Sequence, residues 1–482
     1  MHRPIALAAL VAFACFFTGA ARPERAAAPV SGGAWLSYGH DGQLTNFART
    51  RGLTRATAHL LKQAWVKRLD GAVVASPLYA SGITGVNRTT SLLLVATEGG
   101  TVYALRPRDG APLWKRAFGV AASAACGNWG FSSTGAIDLR RRVLYVVSAQ
   151  GFLHALDLRT GAERAGWPIS ITSDRVDAEY VWGGLRLVRD TLYVPVASYC
   201  DAAGSDGRFA NGRLVAVDVV RRSEVAVFDP VPGENNLGGI WGWGGASVEP
   251  DGRALYTGVG NSRVYDRACD CFSDTAAYGD SVVKLTPGLK VVSWNRPKPF
   301  LATGDYDFGT APLLFRPAGC PPLAAANSKL GTLYIWNRNR LGDGPRFRGA
   351  LGDGVTAFVG QPSYSPSLRT IYESHVLITR RGKKVGDGIA AFSARPHCRF
   401  HLRWRTSIGV GNQPPPLVVG DVVFGSGGDN GGYAALDARN GRVLWRFRTA
   451  AATISPVIAA GGRIFAADYG GALHAFAVAS RK

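Results

Sequence analysis

Two short stretches of this chain carry residue types that could do chemistry rather than only fold. In Gly304-Asp-Tyr-Asp-Phe-Gly309 two carboxylates, Asp305 and Asp307, stand one residue apart. On an extended strand, alternation turns both to one face, where mutual repulsion or a nearby cation shifts their acidity. A solvated loop is the plainer alternative. Ile240-Trp-Gly-Trp-Gly-Gly-Ala246, running on to Tyr256-Thr-Gly-Val-Gly-Asn261, sets Trp241 and Trp243 among glycines. Such a stretch can form a flat apolar platform for a planar ligand, unless both indoles are core residues of an inner strand. Asn327-Ser-Lys329-Leu-Gly331 adds a lysine where a strand begins, ordinarily a surface charge.

Positioning these residues falls to a repeat. Thr101-Val-Tyr-Ala-Leu105 with Asp109-Gly110 and Trp114, and Tyr433-Ala-Ala-Leu-Asp437 with Asn440-Gly441 and Trp445, are the same hairpin seen twice. Asp-Gly and Asn-Gly pairs tolerate the positive φ of a tight turn. A third copy begins at Leu153, weaker ones near Leu214, Val282, Leu333 and Ile389, and the last is Leu473-His-Ala-Phe476. Eight copies give roughly 56 residues each, close to a four-stranded propeller blade plus loops. The last copy stops before its turn and aromatic strand, whereas Ala64-Trp65-Val-Lys-Arg-Leu69 is such a strand with no repeat before it. Joining the two closes a ring and leaves no free sheet edge. The fold expected is therefore all-β, one eight-bladed β-propeller over residues 35–482, closed by an N-terminal strand.

Composition agrees with many turns and a large core: 482 residues with 61 Gly, 26 Pro, 12 Trp, 16 Tyr and 21 Phe, and only 18% charged. That excludes a disordered polyelectrolyte. His2-Arg3, the apolar run Ile5 to Phe17 and the small residues Thr18-Gly19-Ala20-Ala21 read as a secretory signal over residues 1–21, followed by a linker over 22–34. The mature protein is expected to be secreted, periplasmic or envelope-associated. No later stretch reaches about 18 uninterrupted apolar residues, so no transmembrane span is expected. Six cysteines remain beyond that signal and can form three disulfides in fifteen pairings, which spacing cannot choose among. His397-Cys398-x-x-His401 is a weak metal pattern in an Arg-rich loop, and there is no Cys-x-x-Cys-His for covalent haem. The net charge of +21 attracts anions in general. Its basic residues are scattered through loops of an exported chain, which argues against a nucleic-acid partner.

Trp35-x-x-Tyr38-Gly39-x-Asp41 with Asn46, then Leu53-Thr54 and Leu60-x-x-x-Ala64-Trp65, resembles the opening of pyrroloquinoline quinone (PQQ)-dependent alcohol dehydrogenases. Ser132-Ser133-Thr134, Trp243 to Asn261, Asp305 to Gly309 and Asn327 to Gly331 follow in that family's order. Trp-Gly-Trp-Gly-Gly and Ser198-Tyr199-Cys200-Asp201 most resemble its polyvinyl alcohol dehydrogenase branch. The resemblance implies PQQ with a calcium ion in the central funnel. It implies Trp243 under the quinone ring, with Trp241 the other candidate, and Lys329 and Thr134 as further cofactor contacts. Asn261 and Asp307 would give calcium oxygens, and Asp307 would also be the general base toward a small or polymeric alcohol. A separate electron acceptor, such as a cytochrome c, would complete the cycle.

The chain also departs from that pattern. The family's adjacent cysteine pair is absent, Cys126-Gly127-Asn128 standing in its region, and its calcium-binding Glu has no counterpart except Asp201. These departures keep open a second reading, a cofactor-free propeller that serves as a protein-binding scaffold in the cell envelope.

Overall fold

The computed structural model describes residues 33–49, 52–86, 89–123, 127–172, 178–268, 270–301, 303–353, 360–380, 382–409 and 414–479. The expected signal segment and Cys126 lie outside them. The described strands form eight four-stranded antiparallel blades, taken here in chain order from Leu78. Every repeat found in the sequence is the third strand of a blade, from Thr101–Leu105 in blade 1 to Tyr433–Asp437 in blade 7 and Ala472–Val478 in blade 8. Blade 8 takes its outer strand from the N-terminal side: Leu61–Arg68 pairs antiparallel with Ala472–Val478, Trp65 opposite Ala475. The ring is closed as the truncated last repeat requires.

The Gly-and-Trp rhythm has a packing cause. The outer-strand tryptophan of one blade lies on the glycine turn of the next. Trp65 Nε1 donates to Pro107 O at 3.1 Å, and Trp114 Nε1 to Leu158 O at 3.0 Å. Trp404 Nε1 reaches Ala438 O at 3.3 Å. A Cβ on Gly161 would sit 2.6 Å from the Trp114 ring, and one on Gly441 2.5 Å from Trp404. At +69° and +75°, these glycines also occupy the left-handed region that a side chain disfavours. Each turn is thus both a hairpin and a seat for its neighbour, which couples successive blades.

A belt formed by residues 35–48 crosses the inner strands of seven blades in order. Trp35 exchanges two backbone bonds with Tyr79, and Leu36 O accepts from Ile137 N. Arg186 of blade 3 then holds the belt through Ser37 Oγ at 2.7 Å, Tyr38 O at 2.8 Å and Asp41 O at 3.1 Å. Gly42 O, Gln43 O and Thr45 O accept from Val248, Leu314 and Tyr364 of blades 4, 5 and 6. Phe47–Ala48 pairs in parallel with Val418 and Val419 of blade 7. The opening residues of the quinoprotein resemblance are those of this belt.

The left-over cysteines divide accordingly. Cys320 and Cys398 form a disulfide between blades 5 and 6, and Cys200 and Cys271 are each engaged in a disulfide. Cys398 is therefore committed to sulfur, which removes it from the His397-Cys398-x-x-His401 metal pattern. Among the described residues no helix is long and apolar enough to cross a membrane.

Candidate active site

The site lies where the entry loops of blades 4 and 5 meet. Gly242 has φ +78°, and a Cβ there would fall 1.6 Å from the Gly309 carbonyl oxygen, so only glycine lets the two loops touch. The turn sends the indoles on its two sides apart. Trp241 stays partly exposed, wedged between Gly260 and Gly309, where added Cβ atoms would come within 3.0 Å and 2.5 Å of its ring. The segment around Asp307 is irregular rather than a strand, and it is fixed by its neighbours. Phe308 is buried against Phe300, Tyr334 and Trp336, and Asp307 O accepts Lys329 N at 3.1 Å.

Asp307 is 1% exposed, with a hydrogen-bond donor at Oδ2 and an ammonium beside Oδ1. Trp241 Nε1 donates to Oδ2 at 2.7 Å, and Lys329 Nζ lies 3.1 Å from Oδ1. The same ammonium is 2.8 Å from Asp305 Oδ1 and 4.8 Å from the Trp241 ring centroid. Burial pushes the Asp307 carboxyl up to about 6, against the lowering pull of Lys329. Lys329 is held above the ordinary lysine value: burial works to lower it, but Asp307 and Asp305 outweigh that. A buried carboxylate poised near neutrality, beside a fixed cation and a partly exposed indole, is suited to accept a proton next to a flat, electron-poor guest.

A family model described as PQQ_2, outer membrane protein assembly factor BamB, matches residues 20–236 and 401–482. The chain belongs to this family. Among curated relatives of this PQQ-like propeller, polyvinylalcohol dehydrogenase from a Pseudomonas species is 23% identical over 88% of the chain and 68% of the relative. Quinohemoprotein alcohol dehydrogenase ADH-IIG from Pseudomonas putida is 25% identical over 48% of the chain, which spans about a third (34%) of that relative. The solved structure of ADH-IIG superposes with a TM-score of 0.73 at 16% identity, covering 93% of this chain and 81% of that one. BamB from Moraxella catarrhalis gives 0.55 at 16% identity, covering 86% and 99%. At these identities the superpositions establish the shared eight-bladed fold.

Within this PQQ-like propeller, the candidate residues separate. Trp241, Asp305, Asp307 and Lys329 converge as described. Trp243 does not join them: it is 3% exposed and packs with Tyr38 and Leu44 of the belt and with Ala311. Of these two indoles, that of Trp241 is the one partly exposed, and Gly242 with its positive φ separates them. Trp182 touches both rings, at 5.7 Å from Trp241 and 5.4 Å from Trp243. Asn261 directly follows Gly260 at the edge of the Trp241 ring. Thr134 is buried, its hydroxyl accepting Ser76 N at 2.8 Å and its carbonyl accepting Leu185 N, so it ties blades 1, 2 and 3 together. Asp305 is 56% exposed while Asp307 is buried, so alternation on a strand does not describe them; Lys329 is what unites them. Asp201 is exposed and accepts from Ser198 Oγ.

One carboxylate escaped the sequence reading. Asp280, two residues before the strand Val282–Leu285, is 0% exposed and feels the charge of Asp307. A single Asp ahead of a strand has no signal that separates it from a surface residue; only the packing of the 259–261 segment against it reveals its burial.

Proposed function

We propose that this protein is an exported quinoprotein oxidoreductase that oxidises an alcohol or polyol with PQQ and calcium, and passes the electrons to a separate acceptor such as a cytochrome c. The observation that carries this reading is the buried carboxylate of Asp307, hydrogen-bonded by Trp241 Nε1 and ion-paired with Lys329 Nζ. The residues fit the cofactor's chemistry. Lys329 offers a cation to a quinone oxygen, Trp241 a partly exposed ring, and Gly260 and Gly309 the close backbone approach that a planar group needs. Asn261 and Asp307 carry the hard oxygen donors that calcium prefers.

When bound, the orthoquinone would supply the two-electron acceptor and calcium the Lewis acid that polarises it. The chain supplies the rest. Asp307 takes the proton of the substrate hydroxyl, being largely ionised above about pH 6. Trp241 and Lys329 hold that carboxylate in one orientation, and the Gly242–Gly309 contact keeps the two loops together. The positive net charge suits a cofactor with three carboxylates.

The second reading is an envelope scaffold, favoured by the family description and by the missing cysteine pair. Against it, the family match leaves out residues 237–400, the part that holds Trp241, Asp307 and Lys329. Adding PQQ and calcium to the purified protein separates the two. The enzyme binds one PQQ per chain and reduces a dye with an alcohol, while Asp307→Asn binds PQQ without turnover. Absence of saturable PQQ binding in excess calcium would leave the scaffold.

A further inference from the structure

We propose that Asp280 supplies the second carboxylate of a hard-cation site that it shares with Asp307 and the amide oxygen of Asn261. This rests on the quinoprotein reading in its choice of calcium, and it assigns to a different residue the anionic ligand for which the sequence offered only Asp201.

Asp280 is fully buried, and neither of its carboxylate oxygens has a hydrogen-bond partner among the described residues. It is also held at φ +55°. Burying an ionised carboxylate without partners is unfavourable by several kcal/mol in general, so such a group is expected to hold a proton or meet a cation. The two described cations that act on these carboxylates are otherwise engaged. Arg296, whose charge acts on Asp280, directs its guanidinium to the carbonyls of Ala277 and Gly279 at 2.8 to 2.9 Å. Lys329 serves Asp305 and Asp307.

The backbone sets Asp280 beside the other two donors. Its N–H donates to Gly260 O at 3.1 Å, and Ser281 O accepts Val259 N at 2.9 Å, which locks it across from Gly260 and Asn261. Phe308 N reaches Val259 O at 3.4 Å and anchors the Asp307 loop to the same strand end. Burial is the main cause that raises the Asp280 carboxyl, to about 9, and Asp307 is the largest charge acting on it. Five carboxylates, Asp201, Asp274, Asp280, Asp305 and Asp307, face two cations here, Lys329 and Arg296. A divalent cation would neutralise that excess. Among the described residues no three His, Cys, Asp or Glu side chains form a metal cluster. The protein thus offers two carboxylates and an amide, and the six to eight oxygens calcium prefers must be completed by cofactor and water.

Terbium titrated into the full-length protein reads this site directly, because Trp241 beside Asp307 can sensitise its emission. The expected result is a saturable indole-sensitised signal displaced by calcium, with affinity lowered at least about tenfold in Asp280→Asn, since affinity in oxygen sites follows ligand charge. Thermal unfolding supplies a second readout and a check on folding. Calcium should raise the unfolding temperature of the natural protein and not of the variant, while in chelator the variant unfolds at the same or a higher temperature. Equal terbium affinity, or equal calcium stabilisation of both proteins, overturns the proposal. So does absence of both effects in the natural protein. A PQQ absorbance titration run alongside tests the enzyme reading separately: Asp280-dependent terbium binding without PQQ binding retains the cation site and removes the enzyme.

Discussion

The indole N–H of Trp241 is bonded to Asp307 Oδ2 at 2.7 Å, and that bond crosses between the entry loops of two blades. It joins the residue with the flat face to the residue with the basic oxygen. A ring in this position cannot tilt without releasing the carboxylate, so the orientation of a stacked guest and that of the base are coupled.

Trp241→Phe keeps the ring and removes the donor. Hydrogen bonds to charged groups contribute about 1.5–3 kcal/mol, which corresponds to about one pKa unit or more. Losing a bond that favours the ionised form raises the Asp307 carboxyl further above 6. The acid limb of the pH–rate profile of reconstituted protein should move alkaline by about one unit; an unmoved limb would count against Asp307 as the base.

Lys329→Met leaves Asp307 buried without its counter-ion. Breaking a buried pair from one side costs about 3–5 kcal/mol, and the value here sits at the low end because the Lys329 side chain is 14% exposed. Denaturant unfolding at neutral pH should show that loss, and adding Asp307→Asn to the same chain should recover much of it. No recovery in the double variant would mean that the lysine acts through packing.

Asp280 makes stability depend on pH in calcium-free buffer. Its carboxyl is pushed up to about 9 in the folded protein, against about 3.9 unfolded. Between those values the folded state holds a proton that the unfolded state has lost. Stability from this group is therefore complete below about pH 4 and is lost as pH rises toward 9. Asp280→Asn removes that slope, so its unfolding temperature relative to the natural protein should climb steadily from pH 5 to pH 9. A constant difference would show that Asp280 does not titrate there.

Gly161→Ala places a methyl group 2.6 Å from the Trp114 ring at a residue with φ +69°. Overpacking and backbone strain each cost about 1–3 kcal/mol. Thermal unfolding should report that loss, and Trp114→Ala should lower stability by about 3–5 kcal/mol through the emptied seat. If the tryptophan variant is neutral, blade-to-blade docking does not hold the ring.

The sequence was legible where structure follows from local pattern. Eight hairpin copies and an orphan aromatic strand determined the blade count and the closure, because alternation and turn chemistry act over a few neighbouring residues. The motif from Trp35 to Asn46 was visible, but its course along the inner strands was not, since those bonds join residues up to several hundred positions apart. Asp305, Asp307 and Lys329 could be named as candidates from residue type. Which of Trp241 and Trp243 stays partly exposed depended on one left-handed glycine and the carbonyl it approaches. Asp280 had no local mark at all. Composition and periodicity by themselves determined the ring; only tertiary packing decided which carboxylates left water, because burial and electrostatics are summed over neighbours that the chain brings together from separate blades.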